Sequence, residues 1–147
     1  MFNDDSGCTR PAASVTAAAV DHVRLLYHYL DVGDLDAYAS LLDEHAQVYH
    51  PDAPPGHGRA EVLERQAELA VSTAGHHIYK IIAADDAVAV MGRYTPSSRS
   101  APDREDEQVE FADFFTLTDK GLLLSCRRYY FVAPDGRAGV GAKPSRV

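Results

Sequence analysis

The pattern of apolar positions changes character once along the chain. In the first half it recurs at helical spacing. Val23, Leu26, Tyr27 and Leu30 fall at i, i+3, i+4 and i+7, which predicts a helix over Val15 to Leu30. Gly33 supplies its stop, because glycine takes the left-handed cap cheaply. Asp34 is placed to cap a second helix of about eight to ten residues, in which Leu35, Tyr38, Leu41 and Leu42 share a face. Ala46 to His50 alternates as a strand that Pro51 ends, and Asp52 to Gly58 reads as a loop around Pro54-Pro55-Gly56. Arg59 to about Val71 is a third helix, with Val62, Leu63, Gln66 and Leu69-Ala70 facing inward.

After Gly75 the period falls to two. His76–Ala83 and Ala87–Thr95 form a hairpin around Asp85-Asp86, and Pro96 to Asp106 is a polar, acidic loop. Val109–Thr118 and Leu122–Val132 are two long strands joined by Asp119-Lys120-Gly121. Helices followed by hairpin-linked strands predict an α+β fold. The connections are too short for crossovers, so the meander is antiparallel. Three helices from the N-terminal half must cover one face of that curved sheet. The result is a cone with an apolar pocket between helix and sheet.

Length and charge narrow the picture. The 147 residues suit one domain, read as 15–133 with tails at 1–14 and 134–147. Lys plus Arg total 14 against 22 for Asp plus Glu, a formal charge of -8. An acidic chain lacks the cationic footprint that nucleic acid or an anionic lipid surface requires. No run is long enough to span a membrane, and the first residues lack the pattern of a secretion signal, so a cytoplasmic protein is expected. Cys8 lies in the predicted tail and Cys126 in a strand, where it reads as a structural thiol.

The candidate chemistry lies on the inward strand faces. Alternation puts His50 on the side of Ala46 and Val48, and an imidazole there suits a general base. Asp113 shares a face with Phe111, Phe115 and Leu117. Lost hydration among such neighbours favours the neutral acid, a donor to a developing enolate oxygen. Alternatively Asp113 is ionised and orients His50, or it bonds a neighbouring hydroxyl or Arg128. Of the adjacent pair His76 and His77 only one can face the pocket. Lys80 shares the His76 face and is hard to bury, so His77 is taken as inward, with Tyr79. Tyr27, Tyr79, Phe115 and Tyr130 then supply aromatic walls suited to a planar ligand. The histidine spacings match no compact metal motif. A metal site would have to be assembled from His50, His77 and Asp113 across the pocket, and neither metal nor cofactor is expected.

Two segments carry a family resemblance. Tyr29-Leu30-Asp31-Val32-Gly33-Asp34-Leu35-Asp36-Ala37, followed by Ala46-Gln47-Val48-Tyr49-His50-Pro51, resembles the ketosteroid isomerase pattern of two helices and a first strand. Phe111-Ala112-Asp113-Phe114-Phe115-Thr116-Leu117, Asp119-Lys120-Gly121 and Tyr129-Tyr130 resemble the last hairpin of those isomerases and of the SnoaL-like polyketide cyclases. His57-Gly58-Arg59-Ala60-Glu61 is similar to the opening of helix three in the same nuclear-transport-factor-2-like (NTF2-like) superfamily. The resemblance implies the cone fold. It puts His50 where the isomerases carry a general-base Asp, and Asp113 where they carry an oxyanion-donating Asp. The position of their helix-one Tyr falls on Leu26, beside Tyr27. What it implies functionally is a cofactor-independent acid/base enzyme, a cyclase, isomerase or dehydratase. The substrate would be an apolar, carbonyl-rich metabolite such as a polyketide intermediate, as in antibiotic biosynthesis. The alternative is a non-catalytic small-molecule-binding protein of the same fold. A homodimer through the outer sheet face is expected, because helices cover only one side.

Overall fold

A computed structural model describes residues 13–51, 53–69, 73–96 and 108–131. The predicted tails apart from Ala13 and Ser14, the acidic loop beyond Pro96, and Cys8, Ala70, Val71 and Val132 lie outside the described residues.

Helix α1 spans Ala13–Val32 and ends as predicted at Gly33, whose φ is +74°. The Gly33 N–H donates to the Leu30 carbonyl and the Asp34 N–H to that of Tyr29, the paired bonds of a Schellman stop. Asp34 then caps α2 (Leu35–Ser40) by accepting the Ala37 N–H at 3.0 Å. Helix α2 is shorter than predicted. Leu42 belongs instead to β1 (Leu42–Tyr49), where it is buried. An apolar Leu-Leu pair at a helix end fits either period, and tertiary burial decided between them.

The segment read as a loop contains a short strand, β2 (Gly56–His57), which pairs antiparallel with β1. Helix α3 (Arg59–Leu69) leads to β3 (Thr73–Ala84), β4 (Ala87–Pro96), β5 (Val109–Leu117) and β6 (Leu123–Tyr130). The sheet order is β2-β1-β6-β5-β4-β3. The meander from β3 to β6 is antiparallel throughout. One junction is not: β1 lies parallel to β6, because the chain leaves β1 for α3 and returns to it only after the whole meander.

All three described helices lie on the concave side. Val23, Leu26 and Tyr27 of α1, Tyr38 of α2 and Val62 of α3 are buried against Val88 and Val90 of β4 and Phe111 and Phe115 of β5. The opposite face keeps Ile82, Met91, Phe114, Tyr129 and Phe131 exposed.

Two irregularities set the orientation of the site. Between Ile78 and Lys80 the β3–β4 register slips by one residue, so His76 pairs with Tyr94, Ile78 with Gly92, but Lys80 with Met91. Gly92 makes this possible: a Cβ there would stand 2.6 Å from the His77 carbonyl and 3.1 Å from the Phe111 ring. Between Thr116 and Leu117 the β5–β6 register slips as well, and Asp113 is brought opposite Arg128.

Candidate functional site

Asp113 is the centre of the described site. It is only 2 % exposed, on the concave face of β5. Direct antiparallel partners share a face, so Arg128 also points inward, and it too is buried. The guanidinium grips the carboxylate at both oxygens, Nε to Oδ1 and Nη2 to Oδ2, each at 2.8 Å. From α1 the Tyr27 hydroxyl donates to Oδ2 at 2.5 Å. Such two-pronged, charge-assisted contacts are the strongest available to a carboxylate.

This arrangement corrects one expectation for Asp113. It is not a neutral acid among apolar neighbours but one half of a buried ion pair, with the hydroxyl and Arg128 both present as partners. Burial pushes the Tyr27 hydroxyl well above its ordinary range, and the Asp113 charge adds to that, so Tyr27 stays protonated and serves as a donor. For Arg128, burial acts to lower basicity, but the bonds and charge of Asp113 outweigh it and leave the guanidinium more firmly protonated. The cation also lies 4.1 Å from the centre of the Phe111 ring. Cys126 is buried, which drives its thiol up and away from reactivity, with the Asp113 charge adding to the effect.

The cluster forms one wall of a cleft between helices and sheet. Leu26, Leu30, Val48, Phe115 and Leu123 supply its apolar lining, and Tyr27, Tyr38, His50, Gln66, Asp113 and Arg128 its polar groups. The cleft is narrow, with a cavity volume of about 30 Å³. His50, Val48 and Gln66 continue into a second hollow bounded by Pro54, Val62 and Arg65. Among the described residues, Arg65 Nε is a buried side-chain atom that no partner meets.

The sequence-predicted residues separate accordingly. His50, Asp113, Tyr27 and Phe115 line the same cleft. His77 does not: it is exposed and pairs across the outer face with Arg93. Tyr79 is half exposed on that face and donates to Glu110 at 3.1 Å. The bulge after Ile78 is the reason. It lets Lys80 face solvent without carrying His76 with it, so His76 is the inward histidine. Tyr130 stands further along the sheet, its hydroxyl 3.0 Å from that of Tyr94, outside the cleft lining. With His77 outside, the His50–His77–Asp113 grouping does not form, and among the described residues no three His, Cys, Asp or Glu side chains converge on a metal-sized site.

The sequence named Arg128 only as a possible partner of Asp113, and Tyr38, Gln66 and His76 are not among the expected site residues. A signal for Arg128 exists, since it alternates in phase with Cys126 and Tyr130, and an inward arginine demands a carboxylate. For His76 the signal is indirect: a lone glycine inside a strand, Gly92, marks a bulge or a close backbone approach on the neighbouring strand.

Among the described residues, no helix is long and apolar enough to cross a membrane. A search of curated protein sequences finds no match to the chain. Solved structures do match in fold. The protein Bal32a, from a soil-derived mobile gene cassette, superposes with a TM-score of 0.69 at 20% identity, over 79% of this chain and 91% of that one. A Catenulispora acidiphila protein with a ketosteroid isomerase-like fold, solved with trimethylamine, gives 0.66 at 18% identity, over 80% and 88%. An epoxide hydrolase from M. tuberculosis, of the LEH-like type, gives 0.64 at 17% identity, over 80% and 85%. Solved NTF2-like proteins share this fold, and the SnoaL-like domain model matches residues 23–125, from α1 to β6, so that the chain belongs to the SnoaL-like family.

Proposed function

We propose that the chain is an acid/base enzyme of the cyclase, isomerase or dehydratase type, acting on an apolar, carbonyl-rich metabolite such as a polyketide intermediate. The observation that carries this reading is the Tyr27–Asp113–Arg128 cluster, fixed in the wall of an apolar cleft that His50 also lines. Proton abstraction beside a carbonyl needs a base at the carbon and donors at the oxygen. His50 is the base. Arg128 is the donor that meets the negative charge developing on oxygen, and Asp113, itself held by the Tyr27 hydroxyl, positions it. The partnerless Arg65 Nε, in the adjoining hollow, offers a donor to a second oxygen, which suits a substrate with several carbonyls. The apolar walls exclude water and strengthen each of these interactions.

The test is deuterium exchange at the carbon next to the carbonyl of candidate polyketide ketones, followed by NMR in D2O. His50→Gln should lower exchange and turnover by at least about 10²-fold, on the order of 2.7 kcal/mol, while affinity changes little. Asp113→Asn should cost a similar factor. The double variant should cost little more than either alone, because groups serving one transition state do not act additively. Unchanged turnover in His50→Gln would refute the assignment. Ligand binding with no exchange in the wild type would favour the binding-protein alternative.

A further inference from the structure

His76 occupies a position behind the ion pair that the proposed chemistry does not use. Its side chain is 5 % exposed, packed between Tyr27 of α1, Tyr94 of β4 and Phe111 of β5, with ring centres 5.2, 5.9 and 5.7 Å away. Its Nδ1 lies 2.6 Å from Asp31 Oδ1, and its backbone N–H also donates to the Asp31 carboxylate. Its Nε2 faces Arg128 Nη2 at 3.5 Å. Tyr27 and Asp31 are one helical turn apart on α1, so one helix edge supplies both a ring neighbour of His76 and its anion. The contacts therefore run without a break from the C-terminal turn of α1 to the cleft: Asp31, His76, Arg128, Asp113, Tyr27.

We infer that Asp31 and His76 are positioning residues that act through Arg128, and that the charge on His76 governs whether the Asp113–Arg128 pair and the Tyr27 hydroxyl hold their places in the cleft. The inference rests on the proposed function for its catalytic meaning, but its physical content stands apart from it. Arg128 carries only donors, so its contact with His76 requires Nε2 to be an unprotonated acceptor. The Asp31 carboxylate enforces that state by accepting the Nδ1 proton, which leaves the lone pair on Nε2. A second proton on His76 would set N–H against N–H and cation against cation. Every charged or titratable group facing the ring enters this balance: Asp31 and Tyr27 from α1, Tyr94 from β4, Asp113 from β5 and Arg128 from β6.

Burial lowers the basicity of His76 below the ordinary 6.5, the Asp31 bond partly restores it, and the Arg128 charge lowers it again. The folded chain thus takes up this proton less readily than the unfolded one. The stabilisation from neutral His76 is complete above 6.5 and is lost as pH falls from there through the lower folded value. The positioned state belongs to neutral pH and is released by acid.

The experiment is side-chain NMR on the full chain with ¹⁵N-labelled histidine and arginine. At neutral pH His76 should carry its proton on Nδ1, and the Arg128 Nε–H should give a persistent, slowly exchanging signal. On acidification both should change with one midpoint. Asp31→Asn removes the anion that favours the imidazolium, so that shared midpoint should move down by about one unit or more. His76→Gln keeps an acceptor toward Arg128, and should leave the Arg128 signal indifferent to pH over the same range. Because Asp31 lies at the surface, its variant keeps the test alive should His76→Gln fail to fold. An Arg128 signal blind to His76 titration, a proton on Nε2, or a midpoint unmoved in Asp31→Asn would each overturn the inference. The proposed chemistry fails separately, by absence of turnover, and a turnover acid limb that follows the same midpoint would join the two.

Discussion

The most demanding prediction concerns the buried ion pair itself. Replacing Arg128 with Met strands the Asp113 carboxylate, 2 % exposed, with the Tyr27 hydroxyl as its remaining partner in the cluster. Breaking a buried pair in this way costs about 3–5 kcal/mol, because the surviving charge has lost its counter-ion. With a urea dependence of about 2 kcal/mol per molar, the unfolding midpoint should drop by roughly 1.5–2.5 M. Removing both charges, in Asp113→Leu/Arg128→Met, should recover most of this. What persists is the Tyr27 hydroxyl, now buried without an acceptor, at about 1–3 kcal/mol. Adding Tyr27→Phe removes that group too, and the triple variant should unfold within about 1 kcal/mol of the wild type, since buried pairs rarely outperform apolar residues of like volume. The assay is urea unfolding followed by circular dichroism on the full set. A triple variant as unstable as Arg128→Met alone would refute the reasoning, because the cluster would then be a net structural asset. The expected recovery would mean that the three polar groups order a site at little net gain in stability.

Two further outcomes follow from the geometry. We propose that a second copy of the chain covers the outer sheet face, where Ile82, Met91, Phe114, Tyr129 and Phe131 stand exposed on the side the helices leave open. Phe114 and Tyr129 pack edge-to-face there, so Phe114→Asp should convert a sedimenting dimer to monomer at micromolar concentration, and a wild type that is already a clean monomer would contradict it. Gly92→Ala should cost about 1–3 kcal/mol in urea unfolding and shift the Phe111 ring, since its Cβ would meet the His77 carbonyl at 2.6 Å; unchanged stability would show that the β3 bulge does not depend on the glycine.

Period and punctuation, read from the sequence alone, determine most of the scaffold. The 3.6-residue stripe of α1, the glycine stop at Gly33, the Asp34 cap and the alternation that buries Phe111, Asp113, Phe115 and Leu117 are local properties, and each appears where the pattern puts it. Strand alternation likewise faces Asp113 toward the helices, and His50, one residue past the end of β1, lines the same cleft. What only the tertiary structure decided is phase. A hairpin centred on Lys120 without a slip would set Asp113 opposite Arg127. The register shift after Thr116 substitutes Arg128, and with it the ion pair. The bulge after Ile78 turns His76 inward and sends His77 and Tyr79 to the outer face. On α1 the rotation of the packed helix brings Tyr27 to Asp113, one residue beyond the position the family pattern indicates. A strand repeats every two residues, so a one-residue slip exchanges its two faces entirely. Such slips arise from contacts between the two strands of a hairpin, as where Gly92 admits the His77 carbonyl, and the alternation along either strand alone does not contain them.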